Sequence, residues 1–153
     1  MAKAISSQEE QSQEEQSVQF FKEVNRHLGM RSRYRLVKLV RAVLSNVRRS
    51  LSEDQAALVL SRLPRFFRRL FTGNKKSGEK QLSIKHLDEL VDTIYMEDRS
   101  SHHHALFTSE IDTLNAVILV LNKLDRFFGI LELSVFRYPL TQELKQAAIE
   151  EAV

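Results

Sequence analysis

Apolar residues recur every three or four positions along most of the chain, which is the spacing of one face of an α-helix. The clearest case runs from Tyr34 to Leu51, where the basic residues mostly fall outside the apolar stripe. That stripe consists of Leu36, Leu39, Val40, Val43, Leu44, Val47 and Leu51. An earlier helix is predicted from Phe20, Phe21, Val24 and Leu28. Gly29 is suited to end that earlier helix in a left-handed conformation.

Helix-starting and helix-ending residues divide the next segment into two further helices. Ser52 is followed three residues later by Gln55, the spacing of a capping box, and Pro64 ends one helix and begins another. In the stretch "LPRFFRRLF" the predicted core-facing residues are Leu63, Phe66, Phe67 and Leu70. The opposite side carries Arg62, Arg65, Arg68 and Arg69. This stretch therefore predicts an amphipathic helix with a basic face.

The second half alternates linkers and helices in the same way. Residues 73–83 are rich in Gly, Lys and Ser, and Ser83 is the predicted cap of a helix that begins at Ile84. The run "MEDRSSHHH" predicts a polar loop, and a longer helix follows from about Ser109. Gly129 marks the predicted end or bend of that helix.

The last predicted elements match elements of the first half. A short helix ends near Tyr138, and Pro139 begins the final helix as Pro64 does in the first half. Two other pairs of segments match in the same order, namely Phe20–Val24 with Leu87–Val91 and Ala42-Val43 with Ala116-Val117. These ordered matches indicate two pseudo-repeated units.

The patterns together predict an all-α helical bundle with about seven or eight helices. Few turn residues, Gly 4 and Pro 2, support long helices. Residues 1–17 are rich in Gln, Glu and Ser and are predicted to be a disordered acidic tail. The first, basic unit then covers residues 18–72, the linker residues 73–83, and the second, acidic unit residues 84–153.

The stretch "LVRAVLSNVRRSLSEDQAALVLSRLPRFFRRLF" resembles the bacterial domain-of-unknown-function family 2267. The shared pattern is a leucine-rich helix, a Ser cap before acidic residues, a helix that ends at "LP", and another amphipathic helix. The resemblance is good from about Phe20 to Phe71 and looser from Leu87 to Gln146. It implies an all-helical fold of two similar units, and it implies no activity.

The composition narrows the possible functions. The chain has no cysteine, which excludes disulfides, thiolate metal sites and cysteine nucleophiles. The N-terminal residues contain no apolar segment of signal-peptide length, and the longest apolar run is too short to span a bilayer. We therefore expect a cytoplasmic protein.

Charge is distributed unevenly along the chain. Residues 18–80 carry 16 Lys and Arg against 4 Asp and Glu, whereas residues 81–153 carry 6 against 12. Arginine suits the recognition of carboxylates and phosphates because its planar guanidinium presents a fork of donors. The predicted anion-binding or partner-binding residues are Arg62, Arg65, Arg68, Arg69, Arg35, Lys38, Arg41, Arg48 and Arg49.

Three kinds of partner are compatible with such a basic face. The leading hypothesis is a non-catalytic adaptor or accessory protein that docks an acidic protein surface, and a second copy of this chain is included among such partners. The alternatives are low-specificity nucleic-acid binding, for which no sequence-reading motif is present, and association with an anionic membrane surface. No cofactor is expected.

Evidence for a metal site or for catalysis is weak in the sequence. His102, His103 and His104 are the metal candidates, but three adjacent side chains do not point at one ion on regular backbone. The chain contains no Gly-rich phosphate loop, no His-Glu-x-x-His pair and no Gly-x-Ser-x-Gly elbow. We therefore expect a protein that is not an enzyme.

Overall fold

A computed structural model describes residues 7–73, 80–101 and 105–152 of the chain. Within these ranges it contains seven α-helices, one short 3₁₀ helix and no strand, so the predicted all-α class and helix number are confirmed. The α-helices are α1 (Ser7–Leu28), α2 (Arg33–Arg49), α3 (Glu53–Arg62), α4 (Arg65–Thr72), α5 (Leu87–Ser100), α6 (Glu110–Phe128) and α7 (Tyr138–Ala152). The 3₁₀ helix spans Ile130–Leu133, between α6 and α7.

The helix boundaries of the first half follow the predicted signals. Ser52 accepts a hydrogen bond from the backbone N–H of Gln55, whose side chain accepts one from the Ser52 backbone, so the capping box is present. Pro64 separates α3 from α4. Gly29 and Gly129 both have φ near +60°, the left-handed conformation in which glycine ends a helix without a Cβ clash.

Helix α6 lies at the centre of the bundle. It packs against α1, α5, α7 and α2, and its inward residues Leu121 and Leu124 are completely buried. Helix α4 packs mainly on α2, and α3 contacts the 3₁₀ helix. One hydrophobic cluster contains residues from both halves of the sequence. The two units predicted from the sequence therefore contribute to a single core.

Phenylalanine rings form one of the contacts between the two halves. Phe67 on α4 lies 4.9 Å from Phe20 on α1 and 5.0 Å from Phe128 at the end of α6, measured between ring centroids. Phe20 and Phe67 are completely buried. The Phe20–Phe67 pair is edge to face, an arrangement that adds roughly 0.5–1.5 kcal/mol beyond the burial of its surface. The cluster thus joins α1, α4 and α6.

The N-terminal segment differs from its prediction. We predicted disorder through residue 17, but residues 7–17 form the first turns of α1. Gln and Glu are good helix formers, and Gln13 and Ser17 are half-buried at the edge that faces α4. Ser17 also donates its hydroxyl proton to the carbonyl oxygen of Gln13 at 3.0 Å. Residues 1–6 lie outside the described ranges.

Helix α5 begins later and ends later than predicted. It starts at Leu87 rather than Ile84, because the Glu89 carboxylate accepts the backbone N–H groups of Lys85 and His86 at 3.2 and 3.1 Å and fixes the first turn there. It continues to Ser100, so the predicted polar loop is partly helical. The predicted metal candidates His102–His104 lie outside the described residues.

The C-terminal end of α5 is tied to the following loop. The Asp98 carboxylate is buried and accepts the backbone N–H groups of Leu106 at 2.9 Å and Phe107 at 3.1 Å. A charged acceptor satisfies two buried donors in this way. The loop is therefore closed at its base by a helix residue, which explains why α5 extends beyond the predicted boundary.

Two further predictions differ from the structure: where the short helix of the second half ends, and which phenylalanines of α4 are buried. The predicted short helix ends at Leu133 rather than near Tyr138, which instead begins α7, with Pro139 in its first turn. On α4 the predicted core residue Phe66 is 38% exposed, whereas Phe71 is completely buried. The helix is thus rotated so that Phe66 lies at the edge of the core.

This rotation predicts different stabilities for two adjacent substitutions. Phe67→Ala should lower the free energy of unfolding by about 3–5 kcal/mol, because it removes the centre of the ring cluster and leaves a cavity. Phe66→Ala should cost less than about 2 kcal/mol, because that ring is partly in water already. Urea titrations followed by circular dichroism measure both values. Equal losses for the two variants would contradict this placement of α4.

Candidate partner-binding groove

A groove of about 700 Å³ lies between α1 and α4. The two helices pack mainly on different partners, α1 on α6 and α4 on α2, and meet each other through phenylalanine rings. One side of the groove is formed by Gln13, Glu14, Ser17 and Val18 of α1. The other side is formed by α4 and by Pro64 before it. We call this feature the arginine groove, after the residues Arg33, Arg65, Arg68 and Arg69 that line it.

The floor of the arginine groove is apolar and partly open to water. The Phe66 ring lies 5.8 Å from the Phe21 ring in an edge-to-face arrangement, measured between centroids. Phe67 lies directly behind both rings, at 5.9 Å from Phe66 and 5.5 Å from Phe21. Val18, on the α1 side, is 47% exposed. The buried ring cluster of the core therefore continues to the surface at this point.

The arginines of the groove are exposed and differ in how they are held. Arg65 and Arg69 are one turn apart on α4, and their side chains form no hydrogen bond or ion pair within the described part of the chain. The side chain of Arg33, the first residue of α2, likewise forms neither there. Arg68 donates through Nε to the carbonyl oxygens of Leu60 at 3.1 Å and Leu63 at 2.8 Å.

The anchoring of Arg68 has a structural and an electrostatic consequence. Its Nε–H is shared by two carbonyl groups at the C-terminus of α3, that of Leu63 and that of Leu60, which also accepts the Leu63 backbone N–H. The contact uses one of the five N–H groups of the guanidinium, which stays exposed at the groove. Four arginines and one glutamate line the groove, so it carries an excess of three positive charges.

Most of the other predicted basic residues contact their own chain. Arg49 pairs with Glu97 at 2.5 Å, and Arg62 approaches Glu132 at 3.7 Å. Arg48 donates to the carbonyl oxygen of Phe71 at 3.2 Å. These contacts join elements that are distant in sequence. The basic residues predicted to form one continuous surface are therefore split, since some of them contact their own chain and others line the groove.

Arg35, Lys38 and Arg41 of α2 also lie outside the lining of the groove. Arg35 donates to the carbonyl oxygens of Ala105 at 3.1 Å and Leu106 at 3.4 Å, so it holds the same loop that Asp98 closes. Lys38 is half-buried and Arg41 is exposed, and neither forms a side-chain hydrogen bond or ion pair among the residues with described positions. Three of the nine predicted residues, Arg65, Arg68 and Arg69, thus meet in one groove.

A family model described as "Uncharacterized conserved protein (DUF2267)" matches residues 18–124. The chain belongs to the DUF2267 family. The resemblance predicted from the sequence is thereby confirmed. The matched span contains the whole of α2 to α5, and so includes α4 and its arginines. No curated protein matches the chain. The family description specifies no reaction and no ligand, so the function of this DUF2267 protein has to be argued from its site.

Two features of the groove were missed in the sequence of this DUF2267 protein. The acidic first turns of α1 form one side of it, although they were predicted to be a disordered tail. Phe66 takes part in its floor rather than in the core. The helical spacing contains no signal for either feature, because both depend on how α1 and α4 are placed by the helices on which they pack.

The described residues of this DUF2267 protein contain no metal site and no membrane-spanning helix, and the neighbouring carboxylates Glu97 and Asp98 both have other partners. No group of three or more His, Asp and Glu side chains there is arranged to hold a metal ion. The adjacent carboxylates Glu97 and Asp98 have separate partners, Arg49 for the first and backbone N–H groups for the second. Among the described helices none combines the length and the apolar character needed to cross a membrane.

The division of the arginines predicts a difference in stability. Arg35→Ala should lower the free energy of unfolding by about 1–3 kcal/mol, because two loop carbonyls lose a charged donor. Arg65→Ala should change it by less than about 0.5 kcal/mol, because that side chain is exposed and unpaired within the described structure. Chemical denaturation of both variants measures the difference. A loss of more than about 1 kcal/mol for Arg65→Ala would show that this arginine has a structural role.

Proposed function

We propose that this protein is a non-catalytic cytoplasmic adaptor whose arginine groove docks an acidic segment of a partner protein. The observation that carries the proposal is the pair Arg65 and Arg69, which lie one turn apart beside the exposed Phe66 and pair with no described carboxylate. Other arginines of the same basic half do have partners in their own chain, as Arg49 has in Glu97. The groove therefore supplies charge that an external anion can neutralise.

Carboxylates are well matched to this arrangement. The guanidinium fork of arginine accommodates a carboxylate with two parallel hydrogen bonds, and such charge-assisted bonds are stronger than neutral ones. An exposed ion pair contributes only about 0.2–1 kcal/mol, so two or three pairs alone give weak binding. The exposed apolar floor adds the burial of Phe66 and Val18 to these pairs. Affinity then depends on both the charge and the apolar contact.

Nucleic acid is the second candidate, because arginines beside an exposed aromatic ring are also the elements of a single-strand binding surface. Such binding draws its affinity from phosphate neutralisation and falls steeply with salt. Glu14 lies among the lining residues and disfavours a continuous polyanion. A membrane surface is a weaker fit, because Phe67, Leu70 and Phe71 of α4 are buried in the core.

A charge-reversal experiment tests the proposal. The probe is a fluorescein-labelled acidic amphipathic peptide of about four helical turns, and its binding to the full chain is followed by fluorescence anisotropy. Arg65→Glu combined with Arg69→Glu should weaken binding at least about tenfold, because two attractive pairs become repulsive. The matched control combines Arg41→Glu with Arg137→Glu, two exposed arginines outside the groove. It changes the net charge equally and should weaken binding less than about threefold.

The same measurement separates the alternatives. Equal effects of the two double variants would show nonspecific charge attraction instead of docking in the groove. A generic DNA duplex, a single-stranded oligonucleotide and phosphatidylserine vesicles are measured at the same ionic strength. Tighter binding of an oligonucleotide or of the vesicles than of the peptide would replace the adaptor proposal with the corresponding alternative.

A further inference from the structure

We infer that the arginine groove selects an amphipathic segment with a bulky apolar anchor, acidic residues along one edge and a basic residue along the opposite edge. This inference rests on the proposed function and specifies the chemistry of the partner. The observation behind it is that the two sides of the groove carry opposite charge. Arginines lie along the α4 side, whereas Glu14 lies on the α1 side.

The two charged sides are not neutralised by each other. Glu14 is exposed and forms no ion pair with the groove arginines within the described structure. Along residues 7–17 of α1 the sequence contains four glutamates, no lysine and no arginine. Glu14 gives the α1 side of the groove a negative charge, and the arginines make the α4 side basic. A ligand that pairs with both sides needs charges of both signs on opposite edges.

The middle of the groove requires an apolar group. Phe66 is 38% exposed and Val18 is 47% exposed, and they belong to the two helices that form opposite sides. Pro64 and Phe21 complete the apolar lining between them. Water is excluded from these side chains only if a bulky apolar residue of the partner covers them. An acidic segment without such an anchor leaves the apolar floor of the groove exposed to solvent, and its binding relies on exposed ion pairs alone.

This arrangement distinguishes a two-sided segment from a polyanion. A nucleic-acid strand carries negative charge along its whole length, so it gains attraction at Arg65 and Arg69 but meets repulsion from Glu14. The repulsive side acts against partners that are acidic all round. An amphipathic helix is the simplest segment that places acidic, apolar and basic residues on three adjacent faces.

The inference is tested with two double-mutant cycles on the full chain. The parent peptide is a synthetic amphipathic helix of about four turns with glutamates along one edge, one phenylalanine anchor and one lysine along the other edge. Its first variant replaces the anchor with alanine, and its second replaces the lysine with glutamate. The protein variants are Phe66→Ala and Glu14→Lys, whose folding is checked by circular dichroism. Because half of each cycle is made in the peptide, binding to the unaltered protein can be measured in every case.

The expected outcomes are couplings between specific pairs. Removal of the anchor should weaken binding about tenfold with the unaltered protein and less than about twofold with Phe66→Ala. The change of the peptide lysine to glutamate should weaken binding about two- to fivefold with the unaltered protein, and Glu14→Lys should restore it. Glu14→Lys should also strengthen binding of a single-stranded oligonucleotide, because the repulsive side has been removed.

The outcomes separate this inference from the proposed function. If both cycles show no coupling while Arg65→Glu with Arg69→Glu still abolishes binding of the parent peptide, docking in the groove stands and the two-sided selectivity is wrong. If that double reversal has no effect on the parent peptide, docking itself is wrong. An oligonucleotide that binds the unaltered protein as tightly as the parent peptide at physiological salt would also overturn the inference.

Discussion

The contact of Phe67 with Phe20 and Phe128 is the interaction on which the rest of the structure depends. These three rings come from α4, α1 and α6, so they join helices of the first and second halves of the chain in the buried core. A short helix such as α4 has little stability of its own and keeps its shape because its apolar face is packed. Arg65 and Arg69 on its other side are held in position by this packing, because their side chains have no partner within the described structure.

The basic residues of the first half serve two purposes that their sequence does not distinguish. Arg35, Arg48 and Arg49 reach backbone carbonyls or a carboxylate of distant elements and contribute to the assembly of the bundle. Arg65 and Arg69 lie on the open side of α4 and are free to meet an external anion. Some of the positive charge of the first half is therefore paired within the molecule. The unpaired arginines Arg65 and Arg69 lie beside the exposed Phe66.

Local signals predicted most of the fold. The capping box at Ser52, the break at Pro64 and the left-handed Gly29 and Gly129 lie where the sequence indicated, because each depends on neighbouring residues only. The start of α5 was misplaced because Ser83 and Glu89 offer competing signals, and the carboxylate of Glu89 determines the first turn. The groove could not be predicted, since Glu14 and Arg65 are brought to opposite sides of one opening only by the packing of α1 on α6.

The acidic turns of α1 stand apart from the rest of the fold in one respect. The family match begins at Val18, so the turns that carry Glu14 precede it, and among the side chains of these turns whose burial is described, Gln13 and Ser17 alone are half-buried. The α1 side of the groove is thus joined to the bundle by a continuous helix, yet its described side chains before Val18 contribute little to the core. Substitution of an exposed residue such as Glu14 can change the charge of the groove while the bundle stays folded, so the charge of this surface and the stability of the core are able to evolve separately.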